Sequence, residues 1–182
     1  MIKAKDKIFD RAIEELRQQI QTSARPFPDG KAAQRDRIAR SEKDMEFFGR
    51  TYFPHYITSE SSALHKYICE RFPAMIERAI KTGIGDKESD AAPRGNAKST
   101  WTTLILVLWV AAFKKRKFPL IVSETNSQAA DFISFIKLEL ENNERLSGRY
   151  GPPAPGKGRG QRRKWTETHL ELANGVIIRA MA

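Results

Sequence analysis

The run AAPRGNAKST, residues 91–100, puts Lys98 and Ser99 directly behind a turn of small residues. A lysine beside a hydroxyl in that setting is the ending of a phosphate-binding loop: glycine, four residues, glycine, lysine, serine or threonine. Such a loop needs successive backbone N–H groups turned inward and a helix starting behind them, whose positive end holds the phosphate oxygens. It also needs an ammonium that reaches the β- and γ-phosphates and a neighbouring hydroxyl for Mg2+. Arg94, Gly95, Asn96 and Ala97 supply the turn, Lys98 starts the helix, and Ser99 and Thr100 follow it. Ala92 and Ala97, however, stand where the pattern has glycine. Gly95 alone can turn left-handed without strain. The Ala97 methyl costs about 1–2 kcal/mol if its φ is positive, and little if the residue is helical.

The surrounding elements decide whether such a loop is held. Ile8 or Phe9, Ala12 or Ile13, Leu16 and Ile20 recur at helical spacing and predict an amphipathic first helix, closed by ARPFPDG. A second helical stretch is expected over residues 31–53, aromatic at its end and closed by Pro54. A third, capped by Ser61 or Ser62, runs to Gly83, with Pro73 predicting a kink or break. The pattern then alternates: a short strand over 88–92, the turn, a helix over 98–114, a strand over 118–123 and a helix over 128–143. That rhythm predicts an α/β chain with a P-loop NTPase-type parallel sheet flanked by helices, a helical N-terminal arm and a C-terminal β-hairpin. The arm takes residues 1–60 and an incomplete ATPase domain residues 61–182. Residues 147–164, with six basic and no acidic side chains, are expected as a mobile loop. Asn174-Gly175 signals a two-residue hairpin.

The 182 residues carry a net charge of +10, and 40% of them are hydrophobic. The surplus favours a polyanionic partner, because each neutralised phosphate releases counterions; a basic surface that only aids solubility is the alternative. Cys69 is alone, which fits a reducing compartment. The longest apolar run, residues 104–113, is too short to span a bilayer and reads as a buried helix in a soluble, intracellular protein.

APRGNAKST resembles the Walker A motif of the large terminase subunits of tailed bacteriophages, the ATPases that pump DNA into capsids; there an arginine commonly stands four residues before the lysine, as Arg94 does to Lys98. Three further stretches agree in order and spacing. FFGRTYFPHYITSESSALHKYI is similar to the family's upstream aromatic helix and "P–H" stretch, LIVSETNSQAADFISFIKLELENNERL to its second strand and helix, and LELANGVIIRAMA to its "NG" strand pair. The likeness covers residues 47–182. It implies ATP and Mg2+ as ligands, with Arg94, Gly95, Asn96, Ala97, Lys98, Ser99 and Thr100 around the phosphates. It further implies Arg94 and Lys98 acting on the transferring phosphoryl group and Ser99 on the metal. Double-stranded DNA, the portal protein and the small terminase subunit would be its partners in the host cytoplasm, with no membrane and with a ring only in a full-length protein. The family's Walker B acids, coupling motif and nuclease domain have no counterpart here, so the chain reads as the front part of a terminase, binding nucleotide without efficient hydrolysis. A non-catalytic basic nucleic-acid-binding remnant and another helicase-like P-loop ATPase are the rival readings.

Other residues admit two roles. Phe53, Tyr56 and His65 are candidates for adenine, with core packing the stronger expectation; Ser123 and Thr125 could touch phosphate or DNA but fit better as caps of the next helix. Glu139, Glu141 and Glu144 alternate with apolar residues and read as the wet face of a helix. His55, His65 and His169 are too scattered for a zinc site. KKRK, residues 114–117, fits the electronegative end of a helix.

Overall fold

The computed structural model describes residues 2–147 and 164–182, with side chains from residue 8 onward except that of Ser147. Residues 148–163, which make up nearly all of the expected basic loop, lie outside the described residues. Helix α1, Ile2–Ser23, lays Ile13, Leu16 and buried Ile20 against Leu138, and sets Phe9 edge-on to Phe135 at 6.2 Å. Where one helix was expected over 31–53, two form: α2, Lys31–Lys43, and α3, Met45–Tyr52. Asp44 causes the break. Its backbone leaves helical space at φ −128° and ψ 98°, and its carboxylate accepts the Phe47 N–H at 2.8 Å, which satisfies a donor that the start of α3 would otherwise orphan.

Helix α4, Ala63–Thr82, starts on Ser62 and runs through Pro73 without ending there. The Pro73 ring is buried, and Gly83 stops the helix in a left-handed conformation at φ 71°. After the loop come a π-helical stretch, Thr100–Ile105, and α5, Leu106–Ala112, as one continuous rod. The Leu106 N–H reaches back five residues to the Trp101 carbonyl. Nearly every side of this rod is covered: Trp101, Leu104, Ile105, Val107, Leu108, Trp109, Val110 and Ala111 are all buried. Strand β1, Leu120–Val122, α6, Asn126–Asn142, α7, Glu144–Ser147, β2, His169–Glu171, and β3, Ile177–Met181, complete the described chain.

The expected P-loop-type parallel sheet flanked by helices does not form. The protein is 58% helical, and its described strands make one small mixed sheet in the order β1-β3-β2, parallel between β1 and β3 and antiparallel between β3 and β2. The reason lies in the segment before the turn. Residues 83–93 form no described strand; two of their three acids are drawn back onto α4 instead. Glu88 takes the Tyr67 hydroxyl at 2.6 Å and the Arg71 guanidinium at 2.9 Å, and Asp86 pairs with Arg78 at 3.2 Å. A stretch so rich in charge buries too little apolar surface to enter a sheet.

The hairpin is also built differently from the expected two-residue turn. Leu172 donates to the Val176 carbonyl and Gly175 to that of Leu172, leaving a three-residue loop with Gly175 at φ 86°. The Asn174 amide is used elsewhere: it donates to the Ala111 carbonyl at 2.8 Å, near the end of α5. The same helix end closes in a Schellman motif, with the Lys115 N–H on the Val110 carbonyl and the Lys114 N–H on that of Ala111. Lys114 pays for this with a left-handed φ of 53°.

A single large cluster joins Met45, Phe48, Tyr52 and Phe53 to the Thr100–Ala112 rod, to Ile133 and Ile136 of α6, and to Ile178 and Ala180 of β3. Cys69 belongs to it. Burial, reinforced by the carboxylates of Glu46 and Asp44, pushes its thiol up to about 12. The fold therefore favours the neutral thiol. This contribution is complete below the unfolded pKa of about 8.5 and is lost as pH rises toward the folded value. Cys69 should resist Ellman's reagent at pH 8 in the native protein and react at once in 6 M guanidinium; fast native labelling would contradict this burial.

Candidate functional site

The turn that carries Arg94, Gly95, Asn96 and Ala97 stands exposed ahead of the rod. Two of its residues are left-handed: Gly95 at φ 85° and Ala97 at φ 49°. The Ala97 methyl thus meets the costly case, on the order of 1–2 kcal/mol. The first backbone bond of the helix runs from the Trp101 N–H to the Ala97 carbonyl at 3.1 Å. Consequently the N–H groups of Lys98, Ser99 and Thr100 are first-turn donors with no acceptor inside the helix. They carry the positive end of a thirteen-residue rod, spanning the π-helical stretch and α5, to a solvent-facing turn.

Side chains fix this turn from both sides. Asn96 donates its amide to the Pro93 carbonyl at 3.2 Å, closing the turn on itself. His65, in the first turn of α4, holds the Asn96 carbonyl through Nε2 at 2.9 Å. The Ser62 N–H points at His65 Nδ1 at 3.4 Å, so Nδ1 is the acceptor of the ring and Nε2 the N–H donor. The His65 ring also lies 5.7 Å from that of Trp101, at 35°. Trp101 in turn sits over Gly49, where an added Cβ would come within 2.7 Å of the indole. Gly49 of α3, Trp101 of the rod and His65 of α4 therefore form one stack beneath the turn.

Each candidate phosphate ligand has a definite place. Lys98 is half-buried and its ammonium rests on the Asp90 carbonyl at 3.3 Å, eight residues back, which leaves it no carboxylate partner among the described residues. Ser99 is exposed and Thr100 half-buried. Arg94 is exposed on the turn. Thr102 returns its hydroxyl to the Lys98 carbonyl at 2.9 Å. Of the three candidates for adenine, only His65 comes to the turn. Phe53 is fully buried, and half-buried Tyr56 packs on the same core; its hydroxyl is raised above the usual range by burial and by Glu139. Thr125 caps α6 by accepting the Gln128 N–H, and Ser123 donates to the Gln128 side chain. Among the described residues no three His, Cys, Asp or Glu side chains gather as metal ligands.

Glu139 corrects the sequence reading. It is not on a wet face: it is fully buried and takes His55 Nε2 at 2.6 Å and the Asn143 amide at 2.8 Å. Asn143 also donates to the Tyr52 carbonyl at 2.8 Å, so this cluster ties α6 to the end of α3. Alternation with apolar neighbours is a strand argument. On a helix, three residues turn through about 300°, which returns Glu139 to the face of Ile136. That helical phase was the missed signal.

Comparison of the chain with protein-family models, with curated proteins and with solved structures finds no match. Among the described residues, no helix is long and apolar enough to cross a membrane.

Two substitutions test this architecture. Gly49→Ala must displace the Trp101 ring and should cost about 1–3 kcal/mol in urea unfolding. Glu139→Ala strands His55 in the core and should cost about 3–5 kcal/mol. Unchanged midpoints in both would show that neither contact carries the packing described.

Proposed function

We propose that residues 94–100 bind the triphosphate of ATP with Mg2+, and that the chain is the nucleotide-binding part of a DNA-translocating protein of the terminase kind. The observation that carries the reading is the strained φ of Ala97 beside left-handed Gly95. Strain of this sort persists where the surroundings over-determine it, and it gathers at ligand sites. Here it shapes an exposed turn ahead of a helix end whose first N–H donors have no acceptor among the described residues, with a lysine and a serine at the first two helical positions. The order of sequence motifs adds the second support: the terminase likeness runs from residue 47 to residue 182, with this turn inside it. The reading rests on the turn and the rod behind it, not on a P-loop sheet.

The residues fit the ligand. The N–H groups of Lys98, Ser99 and Thr100 would donate to phosphate oxygens, and Lys98 would exchange a neutral carbonyl for an anion, a stronger partner. Ser99 would supply the protein's ligand to Mg2+, with phosphate and water completing the shell. When bound, the ion would neutralise charge on the β- and γ-phosphates. Arg94 stands on the exposed side of the turn, where a guanidinium can meet the γ-phosphate. The net charge of +10 supports a nucleic-acid partner, held through backbone phosphates without sequence preference.

Calorimetric titration with ATP and Mg2+ tests the proposal. Saturable binding should weaken at least tenfold in Lys98→Ala, with negligible turnover by either protein. Ala97→Gly should keep the site, whereas Ala97→Val, a β-branched residue at positive φ, should impair it and destabilise the fold. No ATP binding at 1 mM, together with salt-sensitive binding of duplex DNA, would replace this reading with that of a nucleic-acid-binding remnant.

A further inference from the structure

Strand β1 lies at the edge of the described sheet, and among the described residues its alternate positions are unpaired in two respects. Its bonds to β3 use the Lys117 and Pro119 carbonyls and the Ser123 N–H, and Ile121 stands opposite Ala180 in the core. In a parallel ladder of that phase the N–H and C=O groups of Leu120 and Val122 point away from β3. Their side chains are free as well, Leu120 at 46% and Val122 at 69% exposure, and Phe118 just ahead of them is 50% exposed. Met181, opposite Val122 on β3, carries the apolar face onward at 49% exposure. Beside this edge runs a groove of about 380 Å³ lined by Ile76, Thr103, Leu106, Val110 and Phe118. Open edges are normally blunted by charge, proline or a covering element. Here Pro119 stands before the strand rather than within it, and no charged residue lies between 118 and 122.

We propose that this edge takes up an extended segment of a protein partner, apolar over four or five residues and acidic at one end. The incoming strand pairs with the outward groups of Leu120 and Val122, sends alternate side chains into the groove, and extends the Leu120–Val122–Met181 face with the others. Charge selects the partner. Lys114, Arg116 and Lys117 lie exposed just ahead of the strand, with no ion pair among the described residues. Lys115 is excluded from this count, since Glu42 and Glu77 hold it at 3.5 and 3.7 Å. A second copy of the chain would bring the same cations, and its own net charge of +10, against them.

Two labelled peptides probe the edge, both with the core Val-Ile-Val-Thr-Val, one with Asp-Glu-Glu after it and the other with Glu-Glu-Asp before it. Fluorescence anisotropy should show saturable binding of at least one, with a dissociation constant below about 100 µM, whichever strand direction is used. The Val122→Pro variant removes an outward N–H while leaving the β3 ladder intact, so it should fold normally by circular dichroism and lose at least tenfold in affinity. Arg116→Glu combined with Lys117→Glu should weaken the same peptides. The proposal fails if neither peptide binds at 1 mM, or if folded Val122→Pro binds as tightly as the parent. It also fails if the chain dimerises through this edge in a way that Val122→Pro abolishes, or if the charge reversals remove only DNA binding.

Discussion

The structure depends on burying one helical rod, Thr100–Ala112, on nearly all sides. Its sequence, TWTTLILVLWVAA, has no charge and almost no polar face, so it is stable only when other elements surround it. Helix α3 meets it through Gly49 and Phe48, α2 through the Ser41 carbonyl that accepts the Trp109 indole N–H at 2.9 Å, and α6 and β3 through aliphatic side chains. Each contact is specific in shape or in hydrogen bonding. The arrangement of helices around the rod follows from what each can offer: a missing Cβ, a bare carbonyl or an apolar stripe.

A rod buried along its length still has two polar ends, and the molecule treats them oppositely. At the C-terminal end every available device is used: a Schellman pair of bonds, a left-handed lysine in the place usually given to glycine, and the Asn174 amide from the hairpin. Lys115 then covers Trp109 with its ammonium 5.3 Å from the ring centre. At the N-terminal end the donors of the first turn have no acceptor among the described residues. The effort goes into fixing the backbone that presents them, through His65 on the Asn96 carbonyl and the Asn96 amide on Pro93. One end is closed and the other is held open. A helix N-terminus left without acceptors favours negative charge beside it.

Much of this could be read from the residues, and the failures share a cause. The rod, α1, α4 with its Ser62 cap, and α6 follow from apolar spacing and local capping chemistry, which act over a few residues. The break at Asp44 could have been seen, since an aspartate three residues before Phe47 can cap a new helix. The expected strand over 88–92 failed because Tyr67 and Arg71, about twenty residues earlier, compete for Glu88. The two-residue turn failed because Asn174 is committed to a helix end more than sixty residues away. Local signals predict elements well; partners distant in sequence decide which of two local options is taken. The turn at 94–97 shows both sides. Its residue types were legible at once, but its geometry depends on His65, whose role could not be separated from core packing before the fold was known.

Ala97 brings these threads together. A left-handed alanine costs what a glycine would not, so its conformation must be imposed from outside the residue. Three constraints are available to impose it. The rod behind cannot rotate, because Trp101 is locked between Gly49 and the core. The carbonyl ahead cannot turn, because His65 holds it. Pro93 fixes φ at the start of the turn. Between these anchors the chain has few residues in which to reverse, and Gly95 absorbs only part of the change. The open shape of the turn is therefore set by the core before any ligand arrives. A ligand that fits it need not supply ordering energy, which is how a small and exposed loop can bind with useful affinity.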